Sequence, residues 1–227
     1  MGKFFNYKVN SGSYNMDFDE KILSCSIEKK SKEPVLRFYG WYPACVSLGR
    51  NQPDNVNYDF CNENNINVVR RITGGRALLH NMELTYSFVC PVSFLNVGES
   101  IIKSYKEISE ALIFGFKEID IDINFPQEKK VKTAANYCMS LSTGADLSYK
   151  NKKLIGSAQV RKSGYILQHG SILIDIDFDL IKKLFNESAK TQEITFLREI
   201  KEDIKMDDLV YCVKKGFEYK FNQKFVE

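Results

Sequence analysis

One stretch of the chain, residues 70–87, concentrates residue types that bind anions or carbonyl groups. It reads RRITGGRALLHNMELTYS and lies between two segments of β-type composition. Its three arginines carry rigid guanidinium donors suited to carboxylate or phosphate: Arg70, Arg71 and Arg76. Gly74 and Gly75 permit a positive φ and a close approach of the backbone to a ligand. The stretch therefore predicts a ligand pocket, and the alternative is a glycine-containing hairpin with surface arginines.

The usual nucleotide-binding fingerprints do not explain this stretch, because the chain contains no GxGxxG turn and no GxxxxGK[ST] loop. Two further segments carry candidate chemistry. Lys153 precedes the small residues Gly156, Ser157 and Ala158, against which a substrate could lie, and His169 is followed by Gly170. The alternatives are an exposed hairpin lysine and a hydrogen-bonded core histidine. Neither His80 nor His169 has a Ser/His/Asp order or a metal-ligand cluster around it in the sequence.

A cysteine, Cys138, begins the polar loop that runs to Asp146. A loop cysteine is more accessible than one inside an apolar strand. If Lys153 folds back beside it, the ammonium would stabilise the thiolate and make it an effective nucleophile. The six cysteines show no CxxC pairing, which argues against a zinc site and against a disulfide framework. The default for each is a small buried hydrophobe.

The elements that must position these residues include both helices and strands. Amphipathic spacing predicts helices over 15–27 and 98–116, a short helix over 59–65, and a mostly helical remainder that includes 207–217. Short β-rich runs predict strands at 35–39, 44–48, 67–72, 84–91, 147–150, 154–161 and 165–177. The fold class is therefore α+β, with mixed and mainly antiparallel sheets flanked by helices. We expect a single domain over 1–227 with a short helical tail from about 190.

The length, charge and apolar content of the chain restrict the classes of function that it can have. With 227 residues and a net charge of +3, the chain can bury a substantial core but does not favour nucleic-acid binding. The N-terminus lacks the apolar core of a signal peptide, and no stretch reaches the roughly 18 to 20 apolar residues that span a membrane. We expect a soluble, cytoplasmic monomer without a metal.

Several motifs, taken in order, resemble the lipoate-protein ligase and octanoyltransferase superfamily, which shares its fold with biotin-protein ligases. The segments SGSYNMDFDEKIL and LRFYGWYPACVSLGRNQ resemble its opening helix and first hairpin. RRITGGRALLHNMELTYS is similar to the signature lining its acyl pocket, and KLIGSAQ and ILQHGSILIDID are similar to the strands that complete it. The resemblance covers nearly the whole chain and implies the biotin/lipoate ligase fold.

The resemblance also implies a reaction. Cys138, Asp146 and Lys153 match the octanoyltransferase branch whose cysteine lies before the KxxGSAQ strand, although Ser142 replaces a usual proline and Asp146 a common glutamate. It implies octanoyl transfer from octanoyl-acyl carrier protein, through a Cys138 thioester, to a lysine of a lipoyl domain such as glycine cleavage H protein. Lys153 would assist proton transfer, and no cofactor would be needed.

The acyl-binding residues implied by the resemblance are Arg70, Arg71, Thr73, Gly74, Gly75, Arg76, Ala77, His80, Tyr86, Gly156, Ser157, Ala158, His169 and Gly170. Two alternatives share these motifs. One is an ATP- and magnesium-dependent lipoate ligase that forms lipoyl-adenylate, and the other is an amidotransferase between lipoyl domains. The tail after Phe196 is short for the accessory domain that many ligases carry.

Overall fold

The structure, a computed structural model, describes residues 1–126, 146–185 and 193–227. Within these ranges the strands are β1 (Gly2–Asn10), β2 (Val35–Trp41), β3 (Cys45–Leu48), β4 (Asn67–Arg70), β5 (Leu78–His80), β6 (Glu83–Pro91), β7 (Leu147–Tyr149), β8 (Lys152–Lys162), β9 (Tyr165–Leu173) and β10 (Phe225–Val226). The helices are α1 (Gly12–Glu28), α2 (Tyr58–Glu63), α3 (Ile101–Lys117), α4 (Phe178–Phe185), α5 (Leu197–Ile200) and α6 (Met206–Phe221).

Two sheets organise the molecule. The larger has the order β10-β1-β2-β6-β9-β8-β7, and the smaller has the order β4-β3-β5. In the larger sheet, β1 pairs in parallel with β2 and with β10, and the remaining neighbours are antiparallel. The expected α+β fold with mainly antiparallel sheets is confirmed.

The central strand β6 shows how the sequence separates the two faces of the large sheet. Every residue of this strand is buried, yet its side chains alternate in character. Leu84, Tyr86 and Phe88 belong to the main apolar cluster together with residues of α3 and α6. Because successive side chains of a strand point to opposite faces, Thr85 and Ser87 lie on the other face. That second, polar face is the one that α1 and the small sheet cover.

Helix α1 carries polar side chains on its buried side. Ser11 caps the helix by accepting the Tyr14 backbone N–H at 3.3 Å. Asn15 and Asp19 are four residues apart and therefore share one helix face, and both are buried beside β2. A buried carboxylate requires a positively charged partner inside the protein, and the partner of Asp19 belongs to the candidate functional site.

Several elements differ from the expected ones, among them the unexpected short strands β5 and β10 and strand β4, which ends at Arg70 and not at 72. Strand β1 was not expected, and it lies near the sheet edge, paired with β10 only at Gly2 and Lys3. The strand expected over 165–177 ends at Leu173, and the following residues lead into α4. The residues Ser142 to Gly144 and Cys138 lie outside the described residues.

Candidate functional site

A cleft opens between the polar face of the large sheet and the small sheet. Helix α1 and strand β2 contribute one side, the small sheet contributes a second, and β6, β8 and β9 form the floor. The lining residues are Met16, Tyr39, Trp41, Ser47, Arg71, Gly75, Leu78, His80, Thr85, Gly156, Ser157, Ala158, His169, Gly170 and Ser171.

Many residues expected to bind the acyl group meet in this cleft although they come from three separate segments. Register explains the meeting on the floor, because Gly156 pairs with Ser171 and Ala158 pairs with His169 in adjacent antiparallel strands. Small side chains at 156 and 158 keep the floor low, which leaves room for a ligand chain. The expected residues that line the cleft are Arg71, Gly75, His80, Gly156, Ser157, Ala158, His169 and Gly170.

Other expected binding residues lie around the cleft and do not line it. Arg70 is exposed, and its guanidinium donates to the carbonyl oxygens of Gly49 at 2.7 Å and Gln52 at 3.0 Å. Ala77 is buried in an apolar cluster with residues of β3 and α4. Gly74 is exposed, and the backbone carbonyl of Arg76 accepts from Arg71 at 2.8 Å.

Tyr86 was expected to bind the acyl group, but it does not line the cleft and lies on the opposite face of the large sheet. It pairs with Gly170, and its ring packs against Phe217 of α6 at 5.8 Å between centroids. Its hydroxyl contacts Ser157 Oγ at 2.8 Å. Tyr86 therefore supports the floor of the cleft from behind, because alternation along β6 sends its side chain into the apolar core.

The glycine loop after β4 is held in place by Arg71. The Arg71 guanidinium donates to the carbonyl oxygens of Gly74 at 2.9 Å and Arg76 at 2.8 Å. Gly75 has a φ of +95°, a conformation that favours glycine. The carbonyl of Gly75 also approaches Gly49 so closely that a Cβ on Gly49 would overlap it. Arg71 thus shapes the wall of the cleft as well as lining it.

His169 is joined to both the glycine loop and α1. Its Nε2 lies 2.7 Å from Thr73 Oγ1, and its Nδ1 lies 3.2 Å from Asp19 Oδ2. Asp19 also accepts from Arg37 at 2.7 Å and from the Tyr39 hydroxyl at 2.8 Å. Burial raises the pKa of Asp19, but the bonds and charges of His169 and Arg37 outweigh burial and lower it overall. Asp19 is therefore a carboxylate at neutral pH.

Sequence reasoning missed Asp19 and Arg37 as parts of the site. A signal was present, since Asn15 and Asp19 interrupt the apolar face of an amphipathic helix and Arg37 interrupts an apolar strand. A charged residue at a buried position requires a partner, but the sequence does not reveal which one it is.

His80 is enclosed by a second group of polar side chains. Its Nδ1 lies 2.6 Å from Glu83 Oε1, and its Nε2 lies 2.8 Å from Ser47 Oγ. The Trp41 ring stacks on the imidazole, with centroids 3.8 Å apart and planes at 15°. Burial lowers the pKa of His80 despite the neighbouring Glu83 carboxylate, so the ring is neutral at neutral pH. The sequence predicted His80 here, but it did not predict Ser47 or Trp41.

Lys153 occupies the start of β8, three residues before the cleft-lining Gly156. Its Nζ lies 2.9 Å from Asp146 Oδ2, and both side chains are only 2% exposed. The segment that contains Cys138 lies outside the described residues, and Asp146 is the first residue after it. Each of the two buried groups compensates part of the desolvation cost of the other, so removing one of them would leave a buried charge without a partner.

No helix in the described ranges is both long and apolar enough to cross a membrane. Within the same part of the chain, no group of three or more His, Cys, Asp or Glu side chains is arranged to hold a metal ion.

Comparison with known proteins identifies the family. Residues 11–218 match the lipoyl protein ligase A/B catalytic domain, and the chain belongs to this family. The structure resembles a crystal structure of lipoate-protein ligase A bound with ATP, with a TM-score of 0.81 and 21% identity over 100% of this chain and 87% of that one. At that identity the likeness concerns the fold.

Two relatives are more similar in sequence. Octanoyltransferase LipM of Clostridioides difficile (strain 630) is 37% identical over 236 residues, covering 97% of this chain and 87% of the relative. Octanoyltransferase LipM of Bacillus subtilis (strain 168) is 34% identical over 240 residues, covering 97% and 86%. The chain is accordingly an acyltransferase that carries out octanoyl transfer in lipoate biosynthesis.

Proposed function

We propose that this chain transfers octanoyl from octanoyl-acyl carrier protein to a lysine of a lipoyl domain through a thioester on Cys138, and that glycine cleavage H protein is the acceptor. The observation that carries the proposal is the buried Asp146–Lys153 pair. Lys153 lies on β8, which contributes to the cleft floor, and Asp146 is eight residues after Cys138 in sequence. A buried ammonium favours a nearby thiolate, which is the reactive form of cysteine.

The other cysteines are poor candidates for the nucleophile. Burial raises the pKa of the Cys45 and Cys212 thiols to about 12, and it also raises the pKa of Cys61 and Cys90. These thiols remain protonated at neutral pH. Cys25 is half-buried on α1 and does not line the cleft.

The reaction proceeds in two half-reactions. Cys138 Sγ attacks the thioester carbonyl of octanoyl-acyl carrier protein, the carbon–sulfur bond to the carrier breaks, and the carrier thiolate takes a proton delivered through Lys153. Lys153, left neutral by that proton transfer, then takes a proton from the acceptor amine as the amine attacks the Cys138 thioester. The bond to Cys138 Sγ breaks, which gives the amide and returns the Cys138 thiolate. The reaction requires neither ATP nor magnesium, because the donor is already activated as a thioester.

The first test measures acylation of the cysteine. After incubation with octanoyl-acyl carrier protein without ATP, mass spectrometry should find octanoyl on the peptide containing Cys138, and the Cys138→Ala variant should lose it. Cys25→Ala is the matched control and should retain it. Octanoylation that persists in Cys138→Ala would refute the assignment. Full ATP-dependent lipoyl-adenylate formation in Cys138→Ala would instead establish the ligase reaction.

The second test concerns Lys153 and the acceptor. If Lys153 stabilises the thiolate, Lys153→Met should move the pH dependence of Cys138 alkylation by iodoacetamide to higher pH, and an unchanged profile would remove this role. Apo-H protein and an isolated apo-lipoyl domain of a dehydrogenase complex should be compared as acceptors. Octanoylated H protein offered as the donor tests for amidotransfer.

A further inference from the structure

Two side chains of the cleft wall, Ser47 and His80, form a hydroxyl–imidazole–carboxylate sequence with Glu83, which lies behind them. Ser47 is the third residue of β3, His80 ends β5, and Glu83 begins β6. Ser47 Oγ lies 2.8 Å from His80 Nε2, and His80 Nδ1 lies 2.6 Å from Glu83 Oε1. Ser47 and His80 line the cleft. These distances meet the requirement that a nucleophile contact a base and that a third group orient that base.

The surrounding groups fix the positions of the hydrogens. A carboxylate only accepts hydrogen bonds, and Glu83 also receives the backbone N–H of Asn81 at 2.8 Å. Nδ1 of His80 must therefore carry the hydrogen that it donates to Glu83. Because burial keeps the imidazole neutral, Nε2 holds a lone pair and accepts the hydroxyl hydrogen of Ser47. This is the tautomer in which an imidazole can remove a proton from a hydroxyl group.

A positive donor stands beside the hydroxyl. Arg71 Nη1 donates to Ser47 Oγ at 3.0 Å and to the Ser47 carbonyl at 2.8 Å. A guanidinium in that position stabilises the negative charge that develops on Ser47 Oγ as the hydroxyl gives up its proton. The Trp41 ring covers one face of His80, and Ser47 and His80 are 1% and 4% exposed, so bulk water is largely kept away from the pair.

The other histidine of the cleft has a similar outline but different surroundings. His169 contacts Thr73 and Asp19, but Thr73 does not line the cleft. The Asp19 carboxylate is also engaged by the Arg37 guanidinium. This second group holds the glycine loop to α1, whereas Ser47 and His80 of the other group both line the cleft.

We propose that Ser47, His80 and Glu83 form a second nucleophilic site in the cleft, at which Ser47 takes an acyl group as an oxygen ester and releases it to water. Ser47 Oγ bonds to the acyl carbon as its proton moves to His80 Nε2. The bond from that carbon to the leaving thiol or alcohol then breaks, and His80 returns the proton to the leaving group. Water attacks the ester in the same manner, which yields the fatty acid and regenerates Ser47.

This activity is hydrolysis of octanoyl esters and thioesters, and it does not depend on Cys138. The test therefore uses the full-length Cys138→Ala protein with p-nitrophenyl octanoate, and it follows release of p-nitrophenol and the mass of the protein. We expect hydrolysis and a trapped octanoyl ester on the peptide containing Ser47. Adding Ser47→Ala or Glu83→Gln should lower kcat/KM at least about 100-fold.

Ser109→Ala is the matched control, because Ser109 Oγ is buried on α3 without a hydrogen-bond partner among the described residues and lies away from the cleft. It should leave the rate unchanged. Ser47→Cys keeps a nucleophile in place, and its adduct should become a thioester that neutral hydroxylamine removes. Melting temperatures of all variants distinguish loss of chemistry from loss of folding.

An equal rate in Cys138→Ala and Cys138→Ala/Ser47→Ala, both folded, would overturn the proposal, as would an ester found only on another residue. Either result leaves the Cys138 pathway intact, because that pathway is measured separately with octanoyl-acyl carrier protein and the wild-type chain.

Discussion

Replacing Asp19 by asparagine should strongly destabilise the protein, because Asp19 is the negative centre of a buried group. Its carboxylate accepts from Arg37 at 2.7 Å, from the Tyr39 hydroxyl at 2.8 Å and from His169 at 3.2 Å. Arg37 is 3% exposed, so Asp19→Asn leaves a guanidinium inside the protein without its compensating charge. Breaking a buried ion pair by removing one partner costs about 3–5 kcal/mol.

The assay is thermal and urea unfolding at neutral pH. For a chain of this size each kcal/mol lowers Tm by about 2–4 °C, so Asp19→Asn should lower Tm by about 6–20 °C. The matched control is Asp17→Asn, an exposed residue on the same helix, which should change stability by less than about 0.5 kcal/mol.

A double variant separates the charge from the packing. Arg37→Met combined with Asp19→Asn removes both charges. The double variant should be less destabilised than the sum of the two single variants, because each single variant leaves one buried charge of the pair uncompensated and the double variant leaves neither. If Asp19→Asn unfolds within 1 kcal/mol of the wild type, or if the two changes are additive, the carboxylate is not the electrostatic centre of this group.

Two further predictions follow from the cleft. Because burial depresses the pKa of His80, this residue contributes stability that is full above its unfolded pKa of about 6.5 and is lost as pH falls toward its lower folded pKa, with a slope of at most about 1.4 kcal/mol per pH unit. Urea unfolding between pH 5 and 7.5 should show a smaller slope in His80→Gln, and an identical slope would contradict the assignment. Gly170→Ala places a Cβ 2.6 Å from Ser157 Oγ and 2.7 Å from the Tyr86 ring, which should cost about 1–3 kcal/mol in urea unfolding. Gly74→Ala meets no atom within 4 Å and should be nearly neutral, so equal effects of the two changes would show that crowding at Gly170 is not the cause.

The sequence by itself determined the elements whose pattern is local. Helix α3 and strands β6, β8 and β9 follow from apolar spacing, because periodicity along the chain reports which face of an element is buried. The pair of glycines before Arg76 predicted a loop with an unusual backbone, and Gly75 has a positive φ. The small residues Gly156, Ser157 and Ala158 likewise predicted a surface against which a substrate could lie. These features depend on a few neighbouring residues, so one chain segment is enough to read them.

The tertiary structure decided the partners. His169 meets Asp19 150 positions away and Thr73 96 positions away, and no local pattern encodes such distances. The sequence predicted a strand over 84–91 but not that the cleft lies on the face away from Tyr86. No local pattern distinguishes Ser47 from the other serines of the chain. Only the pairing of β3 with β5 places its hydroxyl beside His80. A buried polar group must find a partner, and only the packing of the sheets determines which partner that is.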